Sequence, residues 1–187
     1  MSNVFFASDH HFGHAKMLEF KQADGVTPCR PFDSVDQMDE TMIERHNSVV
    51  KPKDTCWFLG DVVINRRFLA HVSRLNGRKR LILGNHDIFK NKDYYNAGFE
   101  DLHAFKKFDG FVCTHIPVHT DSLGRWGVNV HGHTHNNHMR KIVSFYAKTG
   151  EPIYSSDGAR DSRYVNVCVE QINYTPISLE DLKKCFD

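Results

Sequence analysis

No stretch of this 187-residue chain reaches about 18 consecutive apolar residues, so no helical membrane span is expected. No basic segment precedes the apolar "NVFFAS" near Met1, which argues against a signal peptide. Cysteine is sparse and unpaired in pattern: Cys29, Cys56, Cys113, Cys168 and Cys185 are odd in number and form no C-x-x-C. That excludes a disulfide framework and a thiolate zinc site, and fits reduced thiols in a cytoplasmic protein. An excess of charge of either sign is also missing. Lys and Arg number 24 against 23 Asp and Glu, a net charge of +1, so there is no electrostatic footprint of a dedicated nucleic-acid binder. A nuclease with a small contact surface is still compatible with that balance. Repeats, low-complexity segments and an inter-domain linker are absent, and the length suits one domain over 1–187. What the chain holds in excess is histidine. Ten of its thirteen copies fall at 10–14, at 86 and at 115–138, and histidine is the commonest metal ligand.

The apolar runs "NVFFAS", "TCWFLG", "KRLILG" and "GVNVHG" read as buried strands. A short helix is predicted across "HAKMLEF", and "KQADGVTPCRPFD" reads as a loop from its Gly and Pro content. Ser34 with Gln37 forms a capping-box pattern that opens a helix running to about Val50. Further helices are predicted over "RRFLAHVSRLNG", closed by Gly77, and after Ser178 with Asp181 at the third position. Asp109-Gly110 marks a hairpin between two strands, and "KIVSFY" and "YVNVCVE" add strands near the end. The order β-α-β-α-β followed by hairpins indicates an α/β domain mixing parallel and antiparallel pairing.

Each strand-like run ends in a cluster of Asp, Asn or His. Five stand out: "SDHHFGH" at 8–14, "LGDVV" at 59–63, "GNHD" at 84–87, "CTHIPVH" at 113–119 and "VHGHTH" at 130–135. Ligands in open α/β sheets bind outside the carboxyl ends of the strands, so the chain delivers these side chains to one edge. In an extended segment residues i and i+2 point the same way. Asp9 and His11 should therefore share a face with His10 opposed, and His131, His133 and His135 should form one set. D-x-H and H-x-H pairs, with a strand-terminal Asp and Asn, supply the mixed nitrogen and oxygen ligands suited to a pair of divalent metals.

In that order the motifs resemble the calcineurin-like metallophosphoesterases. The family pattern D-x-H, G-D, G-N-H-[DE], H and G-H-x-H is matched by Asp9-His10-His11, Gly60-Asp61, Gly84-Asn85-His86-Asp87, His115 and Gly132-His133-Thr134-His135. The longer texture is similar to a branch of small bacterial and phage phosphoesterases. The resemblance implies a sandwich of mixed β-sheets flanked by helices, carrying two divalent metal ions. Mn2+ is the first candidate, and Fe, Zn, Ni or Co suit the same ligands. Asp9, His11 and His135 would hold one metal, Asn85, His115 and His133 the other, with Asp61 bridging. The implied activity is hydrolysis of a phosphodiester or phosphomonoester bond in a small or nucleotide substrate by a metal-bridging hydroxide. Asp61 and His86 are the implied catalytic residues, His86 protonating the leaving group.

Departures narrow the branch. The Ser/Thr protein phosphatases carry an Asp three residues past the bridging Asp, and here Ile64 stands there, leaving Asp87 to be considered as the partner of His86. His14 and Arg30 are candidate substrate contacts, the guanidinium because it matches phosphate geometry. His10 is expected to pack against the sheet. His46, His71 and His103 are expected on element surfaces without a role. Two other hydrolase groups fail: eight residues before D-H-H cannot hold the upstream motifs of the phosphoesterases named for it, and H-x-H-x-D-H is absent. A small metal-dependent nuclease and a catalytically inactive scaffold of the same fold are the alternatives.

Overall fold

A computed structural model describes residues 2–186. Four parallel strands, β1 (Val4–Ala7), β2 (Thr55–Phe58), β3 (Arg78–Ile82) and β4 (Phe99–His103), form the first sheet. Helix α1 (Val35–Val49) lies between β1 and β2, and α2 (Asn91–Asn96) between β3 and β4. The second sheet contains β5 (Lys106–Phe108), β6 (Phe111–Cys113), β7 (Val128–His131) and a later strand. Helix α3 (Leu123–Trp126) precedes β7, and β8 (Ile142–Phe145) pairs with β9 (Pro152–Tyr154) as a separate two-stranded arm. The chain ends with β10 (Tyr164–Asn166), β11 (Ile177–Ser178) and α4 (Leu179–Lys183). Strand order is β11-β1-β2-β3-β4 in the first sheet, with β11 antiparallel, and β10-β7-β6-β5 in the second, with β5 antiparallel. Both sheets are thus mixed, and helices flank them.

Alternation along the first three strands explains the layers. Phe5, Cys56, Phe58 and Leu81 pack with Met38 and Met42 of α1, while Phe6, Trp57 and Ile82 face Phe111, Cys113 and Val130 of the second sheet. Strands covered on both sides read as continuous apolar runs, which is why they were legible. Ser34 caps α1 by accepting from the Gln37 amide at 3.1 Å, and Ser178 caps α4 by accepting from Asp181 at 3.1 Å. The helices predicted at "HAKMLEF" and "RRFLAHVSRLNG" are 3₁₀ helices, Ala15–Leu18 and Arg66–Arg74. Leu69, Val72 and Leu75, all buried, recur every third residue, the spacing that a 3₁₀ helix puts on one face. β4 has no apolar signature because it is an edge strand whose Glu100 and Asp101 pair with Arg78 (3.1 Å) and Arg80 (3.5 Å) of β3. Among the described residues no helix is long and apolar enough to cross a membrane, and the five cysteines are free.

Candidate metal centre

β1, β2 and β3, and likewise β6 and β7, end at one edge, and the segment that follows each carries a cluster from the sequence. These segments are not extended. Asp9 (φ +59°), His11 (φ +48°), Asp61 (φ +53°), His133 (φ +67°) and His135 (φ +48°) all occupy the left-handed region. Only Asn173 and Tyr174 share it among the other described non-glycine residues. Asp and His tolerate this conformation better than most residues, but it costs about 1–3 kcal/mol per site and persists where surroundings enforce it. Here the Asp9 and His11 amides donate to the carbonyls of Gly60 and Asp61, each at 3.0 Å, so the first two loops brace one another. The motif glycines permit the close approach. A Cβ at Gly84 would fall on Asp61 Oδ1, and one at Gly132 on Ser8 Oγ and Asp9 Oδ2.

Two groups of side chains result. Asp9, His11 and His135 bring potential ligand atoms within 4.8 Å of one another, and Asp61, His115 and His133 do the same. In the first, Asp9 is wholly buried. Its Oδ2 lies 2.6 Å from Ser8 Oγ and accepts from the His133 amide (2.8 Å) and Cys168 Sγ (3.2 Å). Its Oδ1 is buried without a hydrogen-bond partner, facing His11 Nε2 at 3.8 Å and His135 Nε2 at 3.7 Å. Those separations are too long for hydrogen bonds, yet they suit ligands of one cation with bonds of about 2.0–2.2 Å. An orphaned buried carboxylate oxygen is costly unless something positive meets it. The residues therefore fit a divalent ion.

Asp61 connects the groups. Its Oδ2 is 3.7 Å from His11 Nε2 and 3.4 Å from His115 Nε2, while Oδ1 accepts from the His86 amide at 2.9 Å. Asn85 joins the second group through its Oδ1, 2.9 Å from His115 Nε2. His115 Nδ1 donates to the Leu59 carbonyl at 2.7 Å, which turns Nε2 inward. Burial lowers the His115 pKa, but the Asp61 carboxylate more than reverses this, raising it to about 8. A cation there competes with the proton for the same lone pair. Burial drives His11 down to about 2, leaving a neutral imidazole able to coordinate.

Behind the first group stands a residue the motifs did not single out. Glu170 Oε1 accepts from His135 Nδ1 at 3.1 Å and from Arg30 Nε at 2.7 Å. Burial favours its neutral form, but Arg30 and His135 outweigh this and hold its pKa at about 2. The signal was present, since "YVNVCVE" is another apolar run ending in an acid.

Arg30 requires a correction. Expected as a phosphate contact, it is 1% exposed, with its nitrogens committed to Glu170 and to the His10 and Asp9 carbonyls, so no face is left for substrate. Asp87 does not orient His86 either. It accepts from the amides of Asp61 (2.7 Å), Gly84 (2.8 Å) and Val62 (3.2 Å), tying the two loops together. His131, grouped by parity with His133 and His135, instead turns away against the Tyr164 ring. His46 is not on a surface but buried, bonded to the Asn76 carbonyl and stacked on Phe58. His10 stacks between Phe12 and Phe58, as its packing role required. His86 is exposed, with its ring centroid 5.7 Å from that of His11. His14 is half-buried, 5.9 Å from His11 by centroid, with Nδ1 unpartnered.

No family model matches the chain. Its fold is shared with the protein of unknown function AQ665 from Aquifex aeolicus, at a TM-score of 0.62 and 21% identity over 98% of this chain and 99% of that one. An archaeal phosphodiesterase superposes less closely (TM-score 0.46, 17% identity, 88% of this chain and 82% of that one), and at that level the likeness says nothing about this chain. The gene 66 protein of Mycobacterium phage L5 is 39% identical over 135 residues, 68% of this chain and 61% of its own length. The uncharacterized protein MJ1445 of Methanocaldococcus jannaschii is 30% identical over 191 aligned residues, covering 100% of this chain and 93% of its own. On that full-length match, the chain belongs to the same family as the archaeal protein MJ1445.

Proposed function

We propose that the chain is a metal-dependent phosphoesterase working with two divalent cations that share Asp61. The observation that carries this reading is the carboxylate of Asp61, whose Oδ2 faces His11 Nε2 at 3.7 Å and His115 Nε2 at 3.4 Å. Asp9, His11 and His135 would hold one cation, and Asn85, His115 and His133 the other. Mn2+ is the first candidate, and the ligand types suit Fe, Zn, Ni or Co as well. When bound, such a pair supplies a water nucleophile at neutral pH and offsets charge on the attacking and leaving oxygens of an in-line displacement.

The chain's own residues orient and move protons around that centre. His86 stands exposed beside His11, its backbone fixed by the amide bond to Asp61 Oδ1, and its ring gives a proton to the leaving oxygen. A positioned acid of this kind is worth about 10²–10⁴ in rate. His14, half-buried on the other flank of His11, is the second side chain of this chain near enough to meet a phosphoryl oxygen. With Arg30 buried, binding of the phosphate charge falls to the cations and these two histidines. The substrate is a small phosphoester or nucleotide, because a net charge of +1 offers no long track for a polymer. Five free thiols suit a reducing compartment such as the cytoplasm.

Turnover of bis(p-nitrophenyl) phosphate and p-nitrophenyl phosphate under Mn2+ tests the reading. Hydrolysis that a chelator abolishes is the expected result, and the ratio of the two rates separates diester from monoester preference. No hydrolysis of either ester under Mn, Ni, Co, Zn or Fe overturns it in favour of an inactive scaffold.

A further inference from the structure

We propose that Arg30 and Glu170 are positioning residues that make the Asp9–His11–His135 pocket the tighter of two cation sites, a claim resting on the two-cation reading above. Arg30 lies in the loop before α1, 140 residues from Glu170, and both side chains are almost fully buried where they meet. A guanidinium spreads its donors as a rigid fork, and all three prongs are used. Nε donates to Glu170 Oε1 at 2.7 Å, Nη1 to the His10 carbonyl at 2.6 Å and Nη2 to the Asp9 carbonyl at 2.5 Å. Arg30 thereby holds the peptide of Asp9 in its left-handed conformation. Through Glu170 it also holds His135, whose Nδ1 donates to Oε1 at 3.1 Å while its Nε2 faces Asp9 Oδ1 at 3.7 Å. One buried cation thus fixes two of the three ligands of this pocket. A packed apolar pair would fill the same volume with less desolvation, but it could not hold a carbonyl and an imidazole N–H together.

The other pocket has no such backing. His115 rests on a neutral carbonyl, that of Leu59, and Asn85 and His133 are exposed. A carboxylate behind a coordinating imidazole raises its basicity and fixes its orientation, and losing one costs about 10- to 100-fold in metal affinity.

Mn2+ titration of the metal-free full chain, by calorimetry and by electron paramagnetic resonance, tests this without any substrate. Glu170→Gln keeps the Oε1 acceptor and removes only the charge, whereas Arg30→Lys cannot reach three acceptors at once. Two classes of Mn2+ site are expected in the unaltered chain. In Glu170→Gln the tighter class should weaken about 10- to 100-fold while the looser keeps its affinity. Arg30→Lys should act in the same direction, and near-ultraviolet circular dichroism should show both variants folded. If folded Glu170→Gln binds both ions as before, or weakens both equally, the positioning role is wrong and the two-cation reading survives. If the unaltered chain binds fewer than two ions, that reading fails as well.

Discussion

Asp9 and His11 sit at 0% and 3% exposure with a ring of donors and an ion pair packed behind them, whereas Asn85 and His133 stand open on the same edge. The difference follows from where the strands lie. β1, flanked by β11 and β2 and covered on both faces, ends inside the molecule, so its loop is shaped by buried partners. Asn85 after β3 and His133 after β7 reach the surface and are left free to meet substrate, while His135, two residues further on, turns back to Glu170. Buried polar atoms demand complete partners, and exposed ones can trade theirs for water or a phosphoryl oxygen. On the two-cation reading, one half of the centre would serve retention and the other exchange.

The largest effect should come from the residue that belongs to both halves. Asp61→Asn keeps the shape and removes the shared charge, and phosphoester hydrolysis under saturating Mn2+ should drop to background. His86→Ala touches neither half's ligands. It should lower kcat by about 10²–10⁴ while both ions stay bound, and metal content falling with activity would disprove its role as acid. His135→Ala and His133→Ala set the halves directly against each other. The first should also reduce thermal stability by about 1–3 kcal/mol, because buried Glu170 loses one of its two side-chain partners, and the second should leave the melting temperature nearly unchanged.

Acid should act on the buried side as well. His46 stacks on Phe58, the same ring that His10 covers beneath the Asp9 loop. Burial holds the folded pKa of His46 at about 4, against 6.5 for an ordinary histidine. The unfolded chain binds the additional proton between those values, so the His46 contribution to stability falls as pH drops from 6.5 towards 4 and is constant above that range. The loss amounts to about 3 kcal/mol at most. Urea unfolding at pH 7 and pH 5 measures it, and His46→Gln should remove the His46 share of the difference, to which His10 and His131, likewise held low by burial, add their own.

The strand-end clusters made most of the centre legible, because a buried strand announces itself by an apolar run and its last residues must then be polar for a reason. The grouping of Asp9 with His11 was reached on a wrong premise. Parity assumes an extended chain, but both residues have positive φ, and the same premise wrongly joined His131 to His133 and His135. What escaped the sequence was whatever depends on contacts far along the chain. Arg30 reads as an ordinary loop cation until Glu170 is brought beside it, and His46 reads as a helix-surface residue until Asn76 and Phe58 close over it. β4 was missed because an edge strand needs charge rather than apolar runs.

Counting manganese on the purified chain by equilibrium dialysis, with and without Asp61→Asn, tests the central claim most directly. Two ions per chain, with at least one lost when Asp61 becomes Asn, is the result predicted for a centre whose halves share that carboxylate. Two ions held equally well by Asp61→Asn would contradict it.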